Sequence, residues 1–157
     1  MKMHKKSGFT LIEILIVIGI ISILAAIVIV AINPARQFAQ SRNAQRWSNV
    51  NTVLNAVHQY AVDNNGILPN QLIVNANATA KDVCTTGTNL TDCGTLGGIS
   101  LASTTDNQIY LVSIPRDPSC PGCAASSTGY RVATTTNGRI VVSAPHAELG
   151  VSISVTR

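Results

Sequence analysis

KKSGFTLIEILIVIGIISILAAIVIVAI, residues 5–32, is the stretch that decides the fold. From residue 9 to residue 32 it holds one charged side chain, Glu13, in a run otherwise made of apolar and small residues. The uncharged part, residues 14–32, makes roughly 28 Å of helix at ~1.5 Å per residue, close to the ~30 Å hydrocarbon core of a bilayer. A secretory signal has an apolar run of only about 7–15 residues, so this run is long enough to be a span. The lysines before it place the N-terminus on the cytoplasmic side and residue 36 onward outside. A plain anchor leaves Glu13 unexplained, because an ionised side chain near a bilayer centre costs at least ~2.5–3.5 kcal/mol.

The rest of the 157-residue chain has room for one small domain. Net charge is +4, but Lys2, Lys5 and Lys6 supply three of those charges. The apparent basicity therefore belongs to the leader, and no basic face remains to neutralise a run of phosphates; nucleic acid is not an expected partner. Residues 75–108 are rich in Asn, Thr, Ser and Gly, a composition suited to surface loop.

The basic leader ending in Gly8, followed by Phe9, Thr10, Leu11, Ile12 and Glu13, closely resembles the type III signal of type IV pilins and type II secretion pseudopilins. The resemblance implies cleavage by prepilin peptidase between Gly8 and Phe9, N-methylation of Phe9, and retention of the span afterwards. The residues agree with that implication. Gly8 is an unhindered site for a protease, and the cut creates an ammonium group on Phe9, about one helical turn from Glu13. The ammonium of an incoming subunit can also meet Glu13 of a neighbour, so the carboxylate is neutralised when subunits stack in register. The bland reading, Glu13 snorkelling to the cytoplasmic interface, does not account for its occurrence with Gly8 and Phe9.

Beyond the span the helix is expected to continue. Trp47, Val50, Leu54, Val57 and Ala61 follow steps of three and four and predict one stripe covering a sheet. Pro34 after Asn33 predicts a kink or short melted stretch, since it removes a backbone donor and crowds the preceding turn. Many members of the family carry a proline about four residues earlier, where this chain has Val30. In DNNGILP, residues 63–69, Gly66 suits a left-handed cap and Pro69 prevents resumption. Arg36, Arg42 and Arg46 have no acidic partner nearby on this helix and are expected to face anionic head groups and water; three arginines without interleaved aromatics make a weak DNA footprint.

The C-terminal third reads as strands. NQIYLVSI, residues 107–114, is β-rich, and GYRVATTTNGRIVVSAP, residues 129–145, is two runs joined by Asn137-Gly138, a hairpin signal of the type I′ kind; VSISV, residues 151–155, adds a further strand. YLVSIPRDP and the hairpin after it resemble the pseudopilin pattern of strand, turn and closing strands. The expected fold is α+β: a long N-terminal helix, half membrane-spanning and half amphipathic, packed on a small antiparallel sheet of three to four strands in a lollipop shape. The expected segments are 1–8 leader, 9–33 span and polymerisation helix, 34–63 amphipathic half, 64–108 variable loop and 109–157 sheet.

Cys84, Cys93, Cys120 and Cys123 fall in the part expected outside the membrane, where an even count favours disulfides with three possible connectivities. Short separations favour Cys84–Cys93 with Cys120–Cys123, and a crossed pairing that staples the 84–93 loop to the sheet comes next. Zinc held by four thiolates is disfavoured because one pair alone has metal-ribbon spacing, and CPGC lacks the strand-to-helix context of a thioredoxin-like pair. No catalytic constellation is visible: His4, His58 and His146 default to solvated or packed histidines. Asp106 and Asp117 lack the dense acidic loop that calcium needs. The sequons at Asn77 and Asn89 are assigned no role. The expectation is therefore a structural subunit, with no catalytic residue, cofactor or metal. It is inserted as a single-pass inner-membrane precursor with its C-terminal domain outside and assembled into an extracellular helical filament of identical copies. The resemblance implies as partners prepilin peptidase, an inner-membrane assembly platform and, before assembly, membrane lipid. A secretion pseudopilin is the alternative within the family. A monomeric membrane-anchored binding domain is the alternative outside it, and has no use for Glu13.

Overall fold

A computed structural model describes residues 8–69, 72, 80–85, 93 and 97–157. His4, Lys2, Lys5, Lys6 and the sequons at Asn77 and Asn89 lie outside the described residues. Helix α1, Leu11–Ala31, carries no buried residue and is, among the described residues, the one helix long and apolar enough to cross a membrane. Its last residue is followed by Ile32, whose backbone leaves helical geometry, and by Asn33. Helix α2, Pro34–Asp63, then starts anew. Pro34 stands at the first helical position, where its missing donor costs nothing, and Asn33 Oδ1 accepts from the Arg36 N–H at 3.3 Å, capping the new helix. By its internal contacts the chain divides into two units, one ending at Phe38 and one running from Ala39 to Arg157.

The second unit packs the outer part of α2 on a five-stranded sheet. The strands are β1 Lys81–Cys84, β2 Gly98–Ser100, β3 Ser127–Thr134, β4 Ile140–Ala144 and β5 Ile153–Thr156, in spatial order β2-β1-β3-β4-β5. Pairing is antiparallel from β1 through β5, and β2 joins the edge parallel to β1. The α+β class holds, with a sheet larger than expected and mixed rather than wholly antiparallel. KDVC and GIS, which form β1 and β2, are too short to show alternation and lie in a stretch whose composition reads as loop.

Two local expectations differ from the structure. Residues 107–114 form no strand. Asn107 and Gln108 take left-handed conformations (φ 52° and 57°) after a 3-10 turn, and Ile109 and Val112 point outward at 65% and 74% exposure. β propensity without a ladder partner did not make a strand there. The β3–β4 connection places Gly138 alone at positive φ (76°), with the Gly138 N–H closing on Thr135 O at 3.0 Å. It is thus a longer turn ending in a left-handed glycine, not a two-residue type I′ turn.

The core joins Val50, Leu54 and Val57 of α2 to Val83, Tyr130, Val132, Val142 and Ile153 of the sheet. Val50, Leu54 and Val57 belong to the stripe read from the sequence. Trp47, also expected on it, is 40% exposed, and Arg46 takes the inward position beside it with no exposed surface. The helix ends where the glycine signal lies: Asn65 and Gly66 are left-handed, and the Gly66 N–H reaches Ala61 O at 2.7 Å.

Candidate assembly site and the buried arginine network

At the head of α1, Gly8 and Phe9 are exposed, and nothing lies within 4 Å of the position a Cβ on Gly8 would take. Thr10 is extended (φ −82°, ψ 152°) and caps the helix. Its Oγ1 accepts from the Glu13 N–H at 3.3 Å, while the Thr10 N–H donates to Glu13 Oε2 at 3.5 Å. Two helix-end donors are thereby satisfied reciprocally, the arrangement that a Thr-x-x-Glu sequence makes. Glu13 therefore has a local role that the sequence analysis did not assign it, although Thr10 and Glu13 carry its signal openly. The carboxylate also sits at the positive end of the helix dipole. One cap leaves most of its acceptor capacity free.

The second constellation lies on α2, which supplies Arg42, Asn43 and Arg46. Arg46 Nε and Nη2 donate to Asp117 Oδ2 and Oδ1 at 2.8 and 2.9 Å, and both side chains are fully buried. Arg46 Nη1 also donates to Glu148 Oε2 at 3.1 Å and to Asn43 Oδ1 at 2.9 Å, and Nη2 to Ser119 O at 3.2 Å. Arg42 forms a two-pronged pair with the same Glu148 at 2.8 and 2.9 Å. Asn43 brackets that residue's backbone, donating to Glu148 O and accepting from its N–H. The Arg42 hydrogen bonds, assisted by Arg46, hold the Glu148 carboxyl down at about 2, and donating to Asp117 and to Glu148 raises Arg46 further above its ordinary value.

This corrects the reading of Arg42 and Arg46 as facing head groups and water. Their acidic partners come not from the helix but from 71 to 106 residues away along the chain. Such pairing leaves no local pattern in the sequence. The weak signal available was the step of four between two arginines that would repel if left alone.

The structure joins Cys84 to Cys93 and Cys120 to Cys123, with Cα atoms 5.6 and 5.5 Å apart. The two bridges occupy different environments. Cys84 and Cys93 are fully buried, whereas Cys120 and Cys123 are part-exposed on the 115–123 loop. The loop crosses Gly129 closely: a Cβ there would lie 2.8 Å from Asp117 Cβ and 3.3 Å from Cys120 Sγ, and Gly129 has φ +83°. His146 lies with Cys123, its Nε2 3.7 Å from Cys123 Sγ. His58 stands apart on α2.

Residues 3–29 match the model of the prokaryotic N-terminal methylation motif. The chain is also 41% identical over 69 residues to the type IV wide pilus major component PilA4 of Thermus thermophilus, across 44% of this chain and 51% of that protein. The chain is type IV pilin-like. Its match spans about half the length of that curated relative. No solved structure matches it. In this pilin-like chain the motif covers residues 3–10 and α1 as far as Ile29, and the buried arginine network lies wholly beyond it.

Proposed function

We propose that this pilin-like chain is a structural subunit of a type IV pilus or related extracytoplasmic filament and carries out no catalysis. Prepilin peptidase hydrolyses the Gly8–Phe9 amide, the new amino group of Phe9 is methylated, and residues 9–33 are retained as span and polymerisation helix. Before assembly the precursor is single-pass in the inner membrane, with its C-terminal domain outside. An inner-membrane platform then draws α1 of each copy out of lipid and against α1 of its neighbours, where Glu13 meets the Phe9 ammonium of an adjacent copy. The observation that carries this reading is the methylation motif at the head of a helix with no buried residue and one carboxylate. In a packed assembly such a helix gains apolar partners along its whole length, and the carboxylate gains a cation.

Similarity to a pilus major component favours a pilus over a secretion pseudopilus. Intact-mass measurement and N-terminal sequencing of the protein from its native membrane test the processing step. The expected mature chain begins at Phe9 and carries one added methyl group. A chain that keeps the leader, or that lacks α1, overturns the proposal in favour of a plain anchor or an ordinary secretory signal.

A further inference from the structure

The two bridges differ in what can reach them. Cys84 and Cys93 have no exposed surface. Cys123, bonded to Cys120, borders a cavity of about 120 Å³ whose lining includes Asp82, Pro121, Gly122, Arg131 and His146. A small reductant therefore has access to one disulfide and not the other. Opening it releases two sulfur ligands beside an imidazole: the donor atoms of Cys120, Cys123 and His146 all lie within 4.8 Å of one another. A tetrahedral Zn²⁺ with bonds of ~2.3 Å to sulfur and ~2.0–2.1 Å to nitrogen needs donors roughly 3.5–3.8 Å apart; Cys123 Sγ and His146 Nε2 already stand 3.7 Å apart, and once the S–S bond is open the two sulfurs part to that spacing.

The backbone that carries these donors is already held. Asp117, three residues before Cys120, and Glu148, two residues after His146, are both bound by the guanidinium of Arg46. Arg46 also takes Ser119 O, next to Cys120, and the Asp117 N–H donates to Thr128 O of β3 at 2.8 Å. One buried cation thus fixes the loop bearing the cysteines against the turn bearing the histidine. Breaking the S–S bond leaves both anchors in place.

We propose that Cys120, Cys123 and His146 form a redox-gated site for a thiophilic divalent cation, with Zn²⁺ the fitting ion. A dithiol supplies the electrons: its two thiols become one disulfide as the Cys120–Cys123 bond becomes two thiols. Zn²⁺ then displaces both thiol protons and takes the lone pair of neutral His146, giving two thiolates and one imidazole. The cavity leaves the fourth position open to water or to an exogenous ligand, as three-ligand zinc sites do. Asp82 lines the same cavity but is paired with Arg131 at 2.9 Å. Neither the span nor filament assembly enters into this chemistry.

The test uses the full chain in detergent. Brief native treatment with dithiothreitol, then alkylation and peptide mass mapping, is expected to label Cys120 and Cys123 while Cys84 and Cys93 stay joined. After removal of the reductant, Co²⁺ is expected to give thiolate charge-transfer absorption and tetrahedral visible bands, which Zn²⁺ abolishes. The untreated chain should give neither. His146→Ala keeps both thiols and should weaken Co²⁺ binding beyond the ~10–100-fold typical of losing an outer partner, and Zn²⁺ should slow alkylation of the two thiols in the parent chain. Equal opening of both bridges, reduced protein without the Co²⁺ bands, Zn²⁺ that leaves alkylation unslowed, or His146→Ala with parental affinity and spectrum each overturns the proposal.

Discussion

Arg46 and Asp117 meet in the interior of the second unit through two parallel hydrogen bonds, 2.8 and 2.9 Å long, with no exposed surface on either side chain. A buried guanidinium is tolerable because its donors are spent: two go to Asp117, and others to Glu148, Asn43 and Ser119 O. Such a pair adds little beyond what well-packed apolar residues would supply, but removing one partner strands the other charge.

Arg46→Met should therefore destabilise the second unit by about 3–5 kcal/mol, since Asp117 is left buried without its cation. The double change Arg46→Met with Asp117→Leu should recover much of that loss. Urea unfolding followed by the fluorescence of Trp47, the single tryptophan, measures both. A loss below about 1 kcal/mol in the single variant would place the pair among surface-like ion pairs.

Acid should loosen the same network at Glu148. The folded carboxyl is held down to about 2 against the ordinary 4.5, chiefly by Arg42. As pH falls, the unfolded chain takes the proton first, so the contribution of Glu148 is complete above about 4.5 and is lost progressively toward 2. The urea midpoint, measured across that window, should fall in the parent. Glu148→Gln should start lower and fall less. Equal slopes in the two proteins would remove Glu148 from the acid response.

Gly129→Ala should be costly although the added group is small. Its backbone has φ +83°, and the new Cβ would sit 2.8 Å from Asp117 Cβ. Strain and overpacking together should cost about 1–3 kcal/mol, read by thermal unfolding. A parental melting temperature would show that the loop can draw away from β3 freely.

One variant of Glu13 separates the observed cap from the proposed charge pairing. Glutamine at N3 keeps the reciprocal cap with Thr10 but carries no charge. Glu13→Gln should insert into the membrane at parental abundance and yield no filaments, because the buried ammonium of Phe9 then lacks its counter-charge. Filament yield and membrane-fraction abundance, compared in the native host, decide it; parental yield would falsify charge pairing and leave the cap as the function of the residue.

What the sequence determined by itself is whatever short-range physics controls. The apolar run of α1 follows from composition. The break at Ile32 and Asn33 follows from Pro34, whose ring crowds the preceding turn, and the end of α2 from a glycine that can turn left-handed. The methylation motif is a string of adjacent residues, and the Thr10–Glu13 cap spans one turn. Only the tertiary structure decided that Arg46 rather than Trp47 faces inward, because Asp117 and Glu148, which make that burial possible, arrive from across the chain. It decided likewise that KDVC and GIS become strands while residues 109–114 do not, since a strand exists only where a neighbour offers a ladder. The meeting of His146 with Cys123 belongs to the same class: 23 residues separate them, and the contact exists because β3 and β4 return the chain to the loop before them.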